Sequence, residues 1–213
     1  MIDPNGTSAE SDTRRNPYLR LFVPFMLIVT FLAFFRIGSV TLFDYDEAIY
    51  AQAAKEMLQA DNWLNPTYTG ENFYDKPVFY YWLTVLSYKA FGINEFAARL
   101  PSSLFGVLLV LAVLLFLHRV WGPERALYGA SALAFSLFFS VYSRACVMDI
   151  TLTFFIACAI FSFHLSLVHH REWVYGLYGF AAFAFLTKGL IGIVFPFGIC
   201  ALYVFIRGRW KGL

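Results

Sequence analysis

The chain has 213 residues, 60% of them hydrophobic and only 14% charged, with a mean hydropathy of +0.62. One water-soluble core of this size cannot hide so much apolar surface, so a soluble domain is excluded and an integral membrane protein is implied. The net charge of +2 says little about partners, and no nucleic acid is expected; three cysteines (Cys146, Cys158, Cys200) in or beside apolar runs, without CxxC spacing, argue against a disulfide scaffold or a zinc knuckle.

The chain starts with MIDPNGTSAESDTRRN, which is polar and is followed by an apolar run lacking a small-residue cleavage site. Residues 1–17 therefore read as a disordered cytoplasmic tail before an uncleaved first span. Six apolar runs follow, about Tyr18 to Phe35, Phe96 to Leu117, Ala126 to Tyr142, Ile150 to Val168, Val174 to Thr187 and Gly189 to Ile206. Most approach the ~17 to 25 residues that a spanning helix needs, and the fifth is the shortest. Six crossings place Arg14, Arg15 and Arg20, then Arg119 and Arg125, then Arg171, then Arg207, Arg209 and Lys211 on one side. That side is the cytoplasm by the positive-inside bias. Trp121, Trp173 and Trp210 then sit at inner boundaries, and Trp63 and Trp82 at the outer one. The expected fold is all-α and polytopic, with about six transmembrane helices.

Between the first two spans, residues 36–95 form an external segment with two short interfacial helices. Glu47 to Gln59 places Ile49, Ala53, Ala54, Met57 and Leu58 on one face and Gln52, Lys55, Glu56 and Gln59 on the other, the pattern of a helix lying on the membrane. Asp61 to Tyr74 contains Asn, Pro, Thr and Gly and reads as loop. Pro77 then opens VFYYWLTVLSYKAFG, a first-turn proline before an aromatic helix. Topology gathers Asp44, Asp46, Glu47, Asp75, Lys76, Arg99, Arg144, Asp149 and Lys188 at the outer side, although they come from four parts of the chain. Charges beside apolar spans are costly, so an outward-facing cavity for chemistry is the natural inference.

The strings DYDEAIYAQAAKEML, NFYDKPVFYYWLTVLSYKAFGINEFAARLPS, YSRACVMDITLTFF and FLTKGLIGIVFP carry a resemblance. In order, spacing and side of the membrane they resemble the N-terminal membrane region of the GT-C glycosyltransferases, with protein mannosyltransferases and lipid A aminoarabinose transferases as the nearest kinds. The resemblance covers roughly residues 20 to 206. It implies transfer of a sugar from a polyprenyl-phosphate donor to a lipid, glycan or protein acceptor on the external face, with inversion, in what would be a bacterial inner membrane. It also implies that residues 18–213 are the N-terminal part of a longer transmembrane domain, since family members continue with more membrane helices and often an external domain.

An acceptor hydroxyl is a poor nucleophile, and a carboxylate within hydrogen-bond reach can take its proton as C1 is attacked. By resemblance the Asp46-Glu47 pair supplies that base, with Asp46 first; helix capping is the structural alternative for both. The growing charge on a leaving polyprenyl phosphate calls for a fixed cation. Lys76, in the family's acid-Lys-Pro element, is the first phosphate ligand, with Arg144 and Lys188 as further ones; for the two lysines snorkelling to the interface is the alternative. Asp149 would position sugar or acceptor, or else pair with Arg144 or cap its helix. Arg99 and Arg36 would bind headgroups or local carboxylates. Tyr74 belongs to an aromatic stripe with Phe73, Phe79, Tyr80, Tyr81 and Trp82 that would line a sugar pocket or lipid groove, or simply pack at the interface. Relatives with Glu at the Asp75 position can use it in a metal site. Asp75 is shorter and no external histidine lies near, so no cofactor is assigned, and a divalent metal at Asp75 stays an open alternative beside a substrate-positioning role. A transporter or lipid-handling protein with an external vestibule is the competing class, against which stand the clustering of charge at one face and the absence of paired broken helices.

Overall fold

The computed structural model describes residues 17–42 and 45–207. Residues 1–16 of the tail, Asp44 and the basic cluster Arg209-Lys211 lie outside them, while Pro17 already opens the first helix. The six apolar runs are all helical. Among the described residues three helices are long and apolar enough to cross a membrane: α1 (Pro17–Phe34), α4 (Glu95–Trp121) and α7 (Asp149–Val168). Between them stand α5 (Pro123–Ala134) and α6 (Leu137–Tyr142), and after α7 come α8 (Val174–Lys188) and α9 (Ile191–Arg207), the last a shorter apolar helix. Helices α4, α7, α8 and α9 pack in sequence, while α1 lies across α4 and α5.

The boundaries follow from local chemistry. Asn94 caps α4 by accepting from Ala97 N, and Gly122 ends it with φ of 88°, immediately before Pro123 begins α5. Only glycine adopts that backbone without strain, and proline lacks only an N–H that a first turn leaves unpaired in any case. The third run differs from the single span read in the sequence. It breaks at Phe135–Ser136, where Ser136 becomes the cap of α6 and accepts from Phe139 N. A second non-helical stretch follows α6. Ser103 Oγ donates to Ser143 O and Ser102 Oγ to Val147 O, so α4 draws residues 143–148 into a non-helical bend. Gly106 permits this approach, because a Cβ there would meet Ser143 Cβ at 2.8 Å.

The segment between α1 and α4 holds α2 (Tyr45–Gln59) and α3 (Phe79–Phe91). The loop between them contains a small antiparallel hairpin, β1 (Thr67–Tyr68) and β2 (Glu71–Asn72). The apolar face of α2 buries Ile49, Tyr50, Ala53, Ala54 and Met57 against Tyr80, Tyr81 and Val85 of α3 and Ala97 and Ala98 of α4. Protein therefore covers the face that reads as membrane-lying. Trp63 and Trp82 join the loop to α3 through a bond from Trp82 Nε1 to Trp63 O, and Lys89 Nζ stands 4.5 Å over the Trp63 ring. Glu56 holds the hairpin by accepting from Thr67 Oγ1, Thr69 N and Gly70 N. Partial burial opposes ionisation of its carboxyl, but these bonds and that from Gln52 prevail and set its pKa below the ordinary value.

Candidate active site

The C-terminal ends of α1 and α8 and the N-terminal ends of α4 and α7 meet α2 and α3 at one end of the bundle. The buried centre of this end is an ion pair. Glu47 and Arg99 are 3% and 6% exposed, and a charge so placed is tolerated only when its hydrogen-bonding capacity is filled. Arg99 Nε donates to Glu47 Oε1 at 2.6 Å and Nη2 to Glu47 Oε2 at 2.9 Å. Nη1 donates to the carbonyls of Ile37 and Val40, and Nη2 also to that of Thr41. All the N–H positions of the guanidinium are thus used. Glu47 Oε1 in addition accepts from Cys146 N at 2.8 Å. One pair therefore ties together the chain leaving α1, the start of α2, the start of α4 and the bend before α7.

Asp46, next to Glu47 in the first turn of α2, points the other way and is exposed. One turn further on, Tyr50 reports what surrounds it. Burial, followed by the charges of Asp46, Asp75 and Asp149, pushes its hydroxyl pKa up to about 12. The charges of three carboxylates from separate parts of the chain are thus felt at one phenol. Two of them carry lysines. Lys76 Nζ lies 2.9 Å from Asp75, and Lys188 Nζ lies 2.6 Å from Asp149. Asp149 pairs across helices with the end of α8 rather than with Arg144. Arg144 Nη1 and Nη2 instead donate to the carbonyls of Leu32 and Phe35, which closes the C-terminal end of α1. Tyr74 stands exposed beside the Asp75–Lys76 pair.

Cys146 cannot serve as a nucleophile here, since burial above all pushes its thiol up to about 12. Among the described residues no group of three His, Cys, Asp or Glu side chains gathers as a cation site, and Asp75 faces a lysine. A cavity of about 590 Å³ between α2, the hairpin and the start of α4 includes Gln52, Lys55 and Glu95 but none of the three aspartates. An apolar groove of about 290 Å³ runs from Asp149 past Leu109, Phe138, Phe139 and Tyr142, opened by the break between α5 and α6.

Residues 75–212 match the family model described as dolichyl-phosphate-mannose-protein mannosyltransferase, which is more than half of the chain. The chain belongs to that family. Its relatives include a protein of Aquifex aeolicus, 31% identical over 89% of this chain and 38% of the relative. Another is the undecaprenyl phosphate-alpha-4-amino-4-deoxy-L-arabinose arabinosyl transferase 2 of Pseudomonas fluorescens, 29% identical over 91% and 37%. The crystal structure of ArnT from Cupriavidus metallidurans bound to undecaprenyl phosphate superposes with a TM-score of 0.80 at 28% identity, over 91% of this chain and 36% of that one. Its apo state superposes equally well. The chain therefore shares the polytopic GT-C architecture of this membrane glycosyltransferase family and spans little more than a third of the length of these relatives.

Sequence reading placed Arg99 at this end with headgroups or local carboxylates as partners, and Glu47 is such a carboxylate, but it did not single out Tyr50. Tyr50 lies four residues after Asp46, hence on the same helix face, and that spacing was the available signal. For Arg99 the signal was an arginine set among alanines in the first turn of a long apolar helix, a position that requires a buried anion nearby.

Proposed function

We propose that the complete protein transfers a sugar from an undecaprenyl- or similar polyprenyl-phosphate donor to a hydroxyl or other nucleophile of a lipid, glycan or protein acceptor. The reading rests above all on the convergence of Asp46, Asp75 and Asp149 with Lys76 and Lys188 at one end of a fold shared with a transferase captured with undecaprenyl phosphate. Asp46 is the base. It is exposed, stands apart from the buried ion pair and can accept the acceptor proton as the C1–O bond to the acceptor forms. The bond from C1 to the phosphate oxygen breaks on the opposite face, its electron pair leaves with the polyprenyl phosphate, and the anomeric configuration inverts.

Glu47 is a poor candidate for the same step, because both of its oxygens are engaged by Arg99. We assign it the positioning of Asp46. Lys76 and Lys188 meet the donor phosphate by exchanging their aspartate partners for it, which frees Asp75 and Asp149 to receive sugar or acceptor hydroxyls. Arg144, engaged at the end of α1, is set behind the lysines in this assignment. Tyr74 offers an open ring beside Lys76 to the sugar. The groove beside Asp149 suits the hydrocarbon chain of a lipid substrate.

The donor assignment is tested on the full-length protein. Lys76→Ala removes a charge-assisted contact and is expected to weaken undecaprenyl-phosphate binding on the order of ten- to a hundredfold, with Lys76→Arg intermediate. Asp75→Asn changes the neighbouring charge without removing the cation and keeps most of the affinity. Unchanged binding in Lys76→Ala takes the phosphate from Lys76.

We also propose that this end faces the outside of a bacterial inner membrane, with the N-terminus in the cytoplasm. The native cysteines are all buried, so single introduced ones can be read by an impermeant thiol reagent on intact cells. Asn72→Cys in the hairpin is expected to be labelled and His170→Cys, between α7 and α8, to stay unlabelled until the membrane is opened. The reverse pattern inverts the proposed orientation.

A further inference from the structure

Helix α3 carries three buried tyrosines whose hydroxyls meet different fates. Tyr80 Oη lies 2.8 Å from Ser102 Oγ and also donates to Cys146 Sγ, and Tyr88 Oη donates to Ala51 O. Tyr81, with 0% of its surface exposed, has no hydrogen-bond partner for its hydroxyl among the described residues. Leaving a buried hydroxyl unpaired costs stability that phenylalanine would keep in the same space. Packing alone therefore does not account for tyrosine at this position, in a chain that uses phenylalanine at 25 others.

The surroundings of Tyr81 indicate what the hydroxyl is for. It stands in the first turn of α3, just past Lys76 and Pro77, with its ring edge-on to Tyr50 at 6.1 Å. Tyr50 is the phenol at which the charges of Asp46, Asp75 and Asp149 are felt. Burial first, and then the proximity of Tyr50 and Asp75, raises the Tyr81 pKa, so its proton is retained and the group is a donor. What it lacks is an acceptor oxygen.

We infer that the Tyr81 hydroxyl donates a hydrogen bond to an oxygen of the polyprenyl-phosphate sugar, and so is a substrate-binding residue of this site. The inference rests on the donor reading above. The oxygen belongs either to the phosphate or to a sugar hydroxyl, and both present the same acceptor chemistry to a phenol. A donor unpaired among the described residues and paired by the substrate contributes its whole hydrogen bond to binding, because no bond within them has to break.

The test is Tyr81→Phe in purified full-length protein, read in three ways. Thermal unfolding is expected to be unchanged or shifted upward, since an unpaired polar group is removed. The KM for the undecaprenyl-phosphate-linked sugar is expected to rise about tenfold. Affinity for undecaprenyl phosphate alone falls by a similar factor if the phosphate is the acceptor and stays at the wild-type value if a sugar hydroxyl is. Wild-type KM and wild-type lipid-phosphate affinity together overturn the inference. So does a lowered unfolding temperature with unchanged kinetics per folded molecule, which would reveal a structural bond instead. Asp46→Asn and Lys76→Ala in the same preparation keep the two levels apart: if they lose turnover and donor binding while Tyr81→Phe loses neither, the donor reading stands and only the Tyr81 inference fails.

Discussion

Asp46→Asn in the full-length protein is expected to lower turnover by a factor on the order of 10² to 10⁴ and to leave the amount of folded protein in the membrane unchanged. The first effect follows from removing the proton acceptor while keeping the shape of the side chain. The second follows from exposure: Asp46 is solvated and lies outside the Glu47–Arg99 network, so amidation breaks no buried bond. Single-turnover transfer with saturating donor separates this loss from any change in donor affinity. Near-normal turnover would move the base to Asp149 or Asp75, the other two carboxylates outside that network, and would leave Asp46 a structural residue of the first turn of α2.

The opposite signature is expected at Arg99. Arg99→Met leaves the Glu47 carboxylate buried without its cation and releases the carbonyls of Ile37, Val40 and Thr41, so folded protein should be lost on the scale of about 3–5 kcal/mol. Glu47→Gln leaves the guanidinium half-paired and should destabilise less. In the double variant each residue loses a partner that is already gone, so its cost should fall below the sum of the two single costs. Thermal unfolding in one detergent, with the amount of properly inserted protein measured beside it, reads all three. A fully additive double variant would mean that the pair does not act as a unit. A stable Arg99→Met protein with reduced turnover would instead make Arg99 part of the substrate site.

The two results together divide the adjacent Asp46 and Glu47 into different tasks. Sequence alone left both open between catalysis and capping, because neighbours on a helix share a spacing and a local propensity. Burial separates them. On a helix successive side chains point about 100° apart, so once the apolar face of α2 lies on α3 and α4, Glu47 is carried inward and Asp46 outward.

Much of the architecture was legible in the chain itself. Apolar runs such as Phe96 to Leu117 and Ile150 to Val168 could only be long helices, since a backbone in hydrocarbon must satisfy its own polar groups. Asn94 and the Gly122-Pro123 step mark helix ends by backbone chemistry that needs no distant partner. The strings around Asp46, Lys76 and Asp149 pointed to sugar transfer before any contact was known. Tertiary structure alone decided the pairing. Lys188 could have met several acids, and it meets Asp149 because α7 and α8 pack side by side. Arg144 could have faced a phosphate, yet it closes α1 because the bend before α7 carries it there. The third run reads as one span, yet it breaks at Ser136, and after α6 the bonds from Ser102 and Ser103 of α4 hold residues 143–148 in a bend. Local sequence sets which residues are helical and which are charged; which charges meet depends on contacts between segments far apart in the chain, and only packing fixes those.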